Sequence, residues 1–224
     1  TATETYTVDT TAPTVTINPI SGGYVNDSED ESSVTVSGTT TGVEAGQIVT
    51  VTIGSKTYEA TVGDDGTWTT TVPSADIKAL TEGTIQVAAD VSDKAGNPAP
   101  QAEETFVYDT TAPTATITLD PSITTDDVIN IAESSQNIAI TGTVAGDVKV
   151  GDTVTLTVNG KEFTGLVLTG NTFSIEVPGS DLAADIDKTI QASVTTTDAA
   201  GNSTTATATE TYTVDTTAPT VTIN

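Results

Sequence analysis

The fold class that this sequence predicts is all-β: two tandem immunoglobulin-like sandwiches of about seven strands each, set end to end. Three observations predict it. Residues 6–18 (YTVDTTAPTVTIN) recur unchanged at 212–224 and in altered form at 106–118 (FVYDTTAPTATIT). The Asp of each copy stands at Asp9, Asp109 and Asp215, so the intervals are 109 − 9 = 100 and 215 − 109 = 106 residues. That is the length of one small sandwich, far beyond the roughly 20–50 residues of a solenoid repeat. Inside each interval, short runs alternate apolar and polar residues between Gly, Asn and Asp clusters, which is the period of half-buried strands.

Taken in order, residues 1–12 read as the final strand and linker of a preceding repeat, because residues 1–8 resemble residues 207–214. Pro13 fixes φ and removes a donor, so the DTTAP segment is expected to be a stiff extended connector rather than a ladder member. The first domain is read as residues 13–109. Val15 and Ile17 open it, Val34 and Val36 mark the second strand up to Gly38, and Val49, Val51 and Ile53 mark the third. Tyr58, Ala60 and Val62 follow, an Asp64-Asp65-Gly66 turn leads into Trp68 and Val72, and Ile85, Val87 and Ala89 precede the closing Phe106 and Tyr108. The second domain, residues 110–215, repeats this in register: Gly46, Lys56, Trp68, Pro73, Asp76 and Asn97 stand 151 − 46 = 105 positions before Gly151, Lys161, Phe173, Pro178, Asp181 and Asn202. Residues 216–224 read as the linker and first strand of a following repeat. Residues 74–80 and 180–186 are each expected to form one helical turn started by a Ser N-cap. Trp68 is assigned to the core rather than to a sugar-stacking platform, since Phe173 takes its place in the other repeat.

The formal net charge is −25, with 31 acidic residues against six lysines and no arginine. A nucleic-acid partner is thereby excluded, for nothing in the chain neutralises phosphates. Such acidity serves solubility, adaptation to high salt, or the binding of cations. The absence of Cys, His and Met removes disulfide staples and transition-metal sites built on thiolate or imidazole, and the oxygen-rich supply suits a hard cation. No run approaches the ~20 apolar residues of a membrane span, so no direct membrane insertion is expected. Lacking His and Cys, the chain offers no obvious general base or thiol nucleophile, and it is not read as an enzyme.

Four sets of oxygen-bearing side chains recur. They are the connector Asp (Asp9, Asp109, Asp215); the D-x-A-G-N loops with Asp93 and Asn97, and Asp198 and Asn202; the Asn-x-x-Glu pairs Asn26 with Glu29 and Asn130 with Glu133; and the loop after the second strand, with Glu44 in the first repeat and Asp147 and Asp152 in the second. Seven alternating strands put the second-to-third and sixth-to-seventh loops at the pole where the first strand begins. A connector Asp leaving one domain is therefore expected to face the D-x-A-G-N loop of the next, which draws Asp109 towards Asp198, Asn202, Asp147 and Asp152. From the first domain, Asn26, Asp27, Glu29, Asp30 and Glu31 approach the same place. Ca²⁺, which takes six to eight oxygens in loose geometry, fits such a cluster better than Mg²⁺. The competing reading is that these Asp and Asn residues make Asx turns and that DTTAP is a plain rigid linker.

The connector VDTTAPTVTI, the strand with GTWTTTVP, the Ser74 turn and the closing V-x-D-x-A-G-N are similar to the bacterial Ig-like tandem repeats of giant RTX-type surface adhesins exported by type I secretion, and the resemblance covers essentially the whole chain. It implies an extracellular, cell-surface spacer, one of many repeats in a longer chain, with neighbouring repeats as its partners and with Ca²⁺ stiffening the connections. Carried over residue by residue, the ligands fall on Asp109, Asp198 and Asn202, and on Asp9, Asp93 and Asn97. The alternative is an adhesive module that itself binds a host, glycan or neighbouring-cell ligand. Near-duplicate repeats with few aromatics favour the spacer.

Overall fold

A computed structural model describes residues 3, 4 and 6–223. Its backbone divides into two compact units, one comprising Thr1–Thr111 with Ala200–Asn202, the other Ala112–Ala199 with Ser203–Asn224.

The first unit is a two-sheet sandwich. Its strands are β1 (Thr14–Ile17), β2 (Tyr24–Val25), β3 (Val34–Thr41), β4 (Ile48–Ile53), β5 (Lys56–Thr61), β6 (Thr67–Val72), β7 (Gly83–Asp90) and β8 (Ala102–Tyr108), with the short helix α1 (Ser74–Ile77) after β6. One sheet runs β1-β3-β6 and the other β2-β8-β7-β4-β5. Alternation sends Val34, Val36, Val49, Val51, Ile53, Val87 and Ala89 inward, and the β-branched majority suits a pleated, half-buried surface. Trp68 lies in this core at 2% exposure, against Gly38, its register partner on β3. A Cβ at Gly38 would stand 1.8 Å from Thr16 O and 2.5 Å from the indole, so only glycine admits the ring. Gly66, at φ 79°, closes the expected Asp-Asp-Gly turn.

The second unit repeats the plan with β9 (Ala115–Leu119), β10 (Val128–Asn130), β11 (Asn137–Gly146), β12 (Thr153–Val158), β13 (Lys161–Leu166), β14 (Thr172–Pro178), α2 (Gly179–Ala184), β15 (Thr189–Thr197), β16 (Ser203–Thr211) and β17 (Thr213–Asp215). Its sheets are β14-β11-β9 and β13-β12-β15-β16, with β10 paired to β17. Phe173 fills the place of Trp68 beside Gly142. The fold is thus all-β and immunoglobulin-like. Each unit also adds a short strand, β2 or β10, that pairs in parallel with the closing strand.

The Ser N-caps are not formed. Pro73 and Pro178 occupy the cap positions, and neither helix has a side-chain cap. Ser74 is already helical and its hydroxyl donates to Asp30 O. A proline before the helix fixes the extended entry that a serine cap would otherwise provide, leaving the hydroxyl free for a distant carbonyl. The expected closing strand at residues 1–8 includes Thr1, Ala2 and Thr5, which lie outside the described residues, as does Asn224 of the expected opening strand at the other end. Tyr6 and Val8 are exposed, whereas Tyr212, in the same motif, is buried. Among the described residues, no helix is long and apolar enough to cross a membrane.

Candidate functional site

All three connectors fold alike. Asp9, Asp109 and Asp215 each turn one carboxylate oxygen back to the amide two residues on, accepting from Thr11 N (3.0 Å), Thr111 N (3.1 Å) and Thr217 N (3.0 Å). These are Asx turns, which hold the chain extended up to the proline. Each carboxylate thus closes an Asx turn and keeps lone pairs for a further partner.

The D-x-A-G-N loop is built around its own first and last residues. Asp93 accepts from Asn97 N and from Asn97 Nδ2, both at 2.8 Å, and Gly96 N donates to Asp93 O. The Asn97 bonds hold the buried Asp93 carboxyl below the ordinary carboxylate range. The second hydrogen of Asn97 Nδ2 goes to the carbonyl of Asp9 at 3.2 Å. The other loop repeats this contact: Asn202, grouped with the first unit, donates from Nδ2 to Asp109 O at 2.8 Å. Its Oδ1 accepts from Asp27 N at 3.1 Å, and Asn26 Nδ2 donates to Ala200 O at 2.9 Å. The loop asparagine therefore meets the connector at both copies, through the backbone carbonyl of the Asp.

The other candidates fasten turns and loops. Asn26 Oδ1 accepts from Ser28 N and Glu29 N while Glu29 accepts from Asn26 N; Asn130 and Glu133 make the same reciprocal pair. This is the logic of a capping box, in which side chains satisfy the amides of a tight turn. Asp147 accepts from Thr114 N and Oγ1, both at 2.8 Å, which lowers its pKa and pins the residue that follows the connector proline. Asp152 accepts from Lys149 N. Among the described residues, no group of three or more acidic side chains is gathered tightly enough to hold a metal.

Asp30 is the most unusual carboxylate among the described residues of the first unit. It is 4% exposed; Oδ2 accepts from Tyr108 Oη at 2.7 Å, and Oδ1 is buried without a hydrogen-bond partner. Lys78 Nζ stands 3.8 Å from that oxygen and 2.6 Å from Glu31. Burial, then the bond to Asp30, pushes the Tyr108 hydroxyl up to about 12, and the charges of Glu82 and Asp27 add to the shift. Glu82 also accepts from Thr110 N, tying down the second connector. Nothing in its sequence position signals this, because the contact depends on where β8 ends. The Lys78 ammonium is the nearest counter-charge to the unbonded Asp30 oxygen.

The cleft lined by Ile53, Lys56, Tyr58, Asp76 and Leu80 carries the Asp76 carboxylate, which is bonded to Lys56 and Tyr58.

A family model described as bacterial Ig-like domain matches residues 7–110, and one described as bacterial Ig-like domain (group 3) matches residues 71–157. No curated protein matches. Among solved structures, the chain is similar to a Ca²⁺-stabilized adhesin that helps an Antarctic bacterium reach out and bind ice, at 41% identity and a TM-score of 0.74, over 94% of this chain and 51% of that one. It is also similar to a 1.5-MDa bacterial ice-binding adhesin studied for host cell surface retention, at 37% identity and a TM-score of 0.67, over 92% of this chain and 65% of that one. An immunoglobulin-like domain of the M. primoryensis ice-binding adhesin is 46% identical over its full length and 47% of this chain, with a TM-score of 0.42. The chain thus spans about half and 65% of the first two structures.

Proposed function

We propose that this chain, which belongs to the bacterial Ig-like domains, is a structural extender from the repeats of a giant adhesin, stiffened by Ca²⁺ where each connector meets a D-x-A-G-N loop. The observation that carries this is the repeated bond from the loop asparagine to the connector carbonyl, Asn97 to Asp9 O and Asn202 to Asp109 O. It supports the loop acids Asp93 and Asp198 as partners of the connector acids Asp9 and Asp109. Asp215 is the corresponding connector acid for a following repeat, and Asn26, Glu29, Asn130, Glu133, Asp147 and Asp152 shape the surrounding turns and supply further oxygens. The domain limits we propose are residues 13–109 and 110–215. When bound, the ion would neutralise mutually repelling carboxylates; the chain's own part is to fix the connector by Asx turns and proline and to hold the loop against it. The repeat would act on the cell surface, holding a distal adhesive domain away from the cell, with neighbouring repeats as partners and no catalytic role.

Extracellular modules of this kind bind Ca²⁺ with Kd of roughly 10⁻⁴–10⁻³ M. Calorimetric titration of the chain with Ca²⁺ should show binding in that range, weakened in Asp109→Ala and Asn202→Ala. Unchanged heats in both variants would remove these residues from the site.

A further inference from the structure

We propose that the parallel pairs β2–β8 and β10–β17 are the force-bearing locks of the two units, and that the second lock holds to the higher load. The inference rests on the extender reading, because a spacer between a cell and an anchored tip carries tension.

In the first unit the chain enters at β1 and leaves at the end of β8. Tension from the entering side drags β1 along β3, where Thr14 to Ile17 face Thr41 to Gly38, and then reaches β2. Tension on the leaving side pulls β8 the other way along its axis. Because β2 and β8 are parallel, these opposed pulls slide one along the other and load every cross-strand bond together. An antiparallel hairpin pulled at its open end would instead break bond by bond. The pairs are Tyr24 with Val107 and Val25 with Tyr108, extended by Asp109 N donating to Val25 O at 3.0 Å. Val25 is fully buried, and the Tyr108 bond to Asp30 fastens the following loop to the same strand.

The second lock is longer. Val128, Ile129 and Asn130 pair with Thr213, Val214 and Asp215. Thr213 adds bonds from N (3.1 Å) and Oγ1 (3.0 Å) to Asp127 O, and Tyr212 N donates to Lys188 O. Ile129 is fully buried, and Tyr212 Oη donates to Leu182 O at 2.8 Å. More bonds sheared together mean a higher barrier to forced unfolding, which is governed by the unfolding rate rather than by equilibrium stability.

Single-molecule stretching of the whole chain, held by handles at its two ends, tests this. The unaltered chain should give two unfolding events at two force levels. Thr213→Pro, which removes both Thr213 donors, should bring the higher event down to the lower one or below it. Thr213→Val, which keeps the backbone donor and the strand, should lower the higher event by less and guards against a proline variant that misfolds. Val158→Ala, a core change on β12 outside the lock, should lower the urea midpoint and leave both forces in place. A single force level in the unaltered chain, no change in both Thr213 variants, or a drop from Val158→Ala as large as that from Thr213→Pro would overturn the proposal. All variants are stretched in chelator, which separates these backbone bonds inside each unit from any ion held by Asp109, Asn130 or Asp215. A failure of the calcium reading would therefore leave this result standing.

Discussion

Both units tie a closing-strand tyrosine to a buried acid, and they do so with different residues. In the first, Tyr108 donates to Asp30 in the loop before β3; in the second, Tyr212 donates to Leu182 O and to Asp185 after α2. Tyr212 occupies the place of Phe106, not of Tyr108, so the acid has moved with the tyrosine. The two lysine-to-helix ties, Lys56 with Asp76 and Lys161 with Asp181, stay at matched positions instead. The contrast teaches that the sandwich demands a fastening at its closing end but does not dictate which loop supplies it. Register fixes only those contacts that both partners make from regular strands or their immediate ends.

The largest expected effect should be alike in both units. Trp68→Ala and Phe173→Ala each empty a glycine-backed core site and should cost about 3–5 kcal/mol, read as two separate losses in urea unfolding. A cost confined to one unit would break the equivalence of the two cores. The tyrosine fastenings should differ. Tyr108→Phe leaves Asp30 Oδ2 buried beside an oxygen that already lacks a partner, and should cost about 1–3 kcal/mol. Tyr212→Phe should cost less, about 0.5–1.5 kcal/mol, because Asp185 keeps the bond from Thr189 N.

pH sharpens the same contrast. Asp93 is held below its ordinary 3.8 by Asn97, so the folded chain binds that proton more weakly than the unfolded chain does. Its stabilisation is present above that value and fades as pH falls through the folded one. Tyr108 is raised from 10.0 to about 12, so its contribution is complete below pH 10 and is lost as pH rises towards 12. Melting of wild type against Asp93→Asn in acid, and against Tyr108→Phe in alkali, should show each difference shrink in those windows. The smallest effect should come from the lysine ties: Lys161→Met should lower the melting temperature more than Lys56→Met does, as Asp181 is the more buried acid. Equal thermal shifts in the two variants would show that burial of the acid does not set the difference.

Much of the fold was legible because alternation of Val and Ile with Thr survives in almost every strand, and the two repeats share a register. The short strands β2 and β10 were not, since two or three residues carry no period and their parallel pairing depends on where β8 and β17 lie. The connector and the D-x-A-G-N loop were legible as recurring motifs, but which atom meets which was not. A periodic pattern places Asn97 near Asp9; the folded loop sets its amide on the carbonyl while the carboxylate closes its own turn. Asp30 went unsingled because its acidic run gives no sign of which member a tyrosine from β8 will bury.

Solution scattering combined with thermal melting, in Ca²⁺ and in chelator, tests the extender account most directly. Binding to the native state alone raises stability, so calcium should raise both the melting temperature and the maximum dimension of the chain, with Asp109→Ala losing most of the gain while each unit still melts cooperatively. A maximum dimension and melting temperature that are the same with ion and with chelator would contradict it, and would leave DTTAP as a plain linker stiffened by its Asx turn and proline alone.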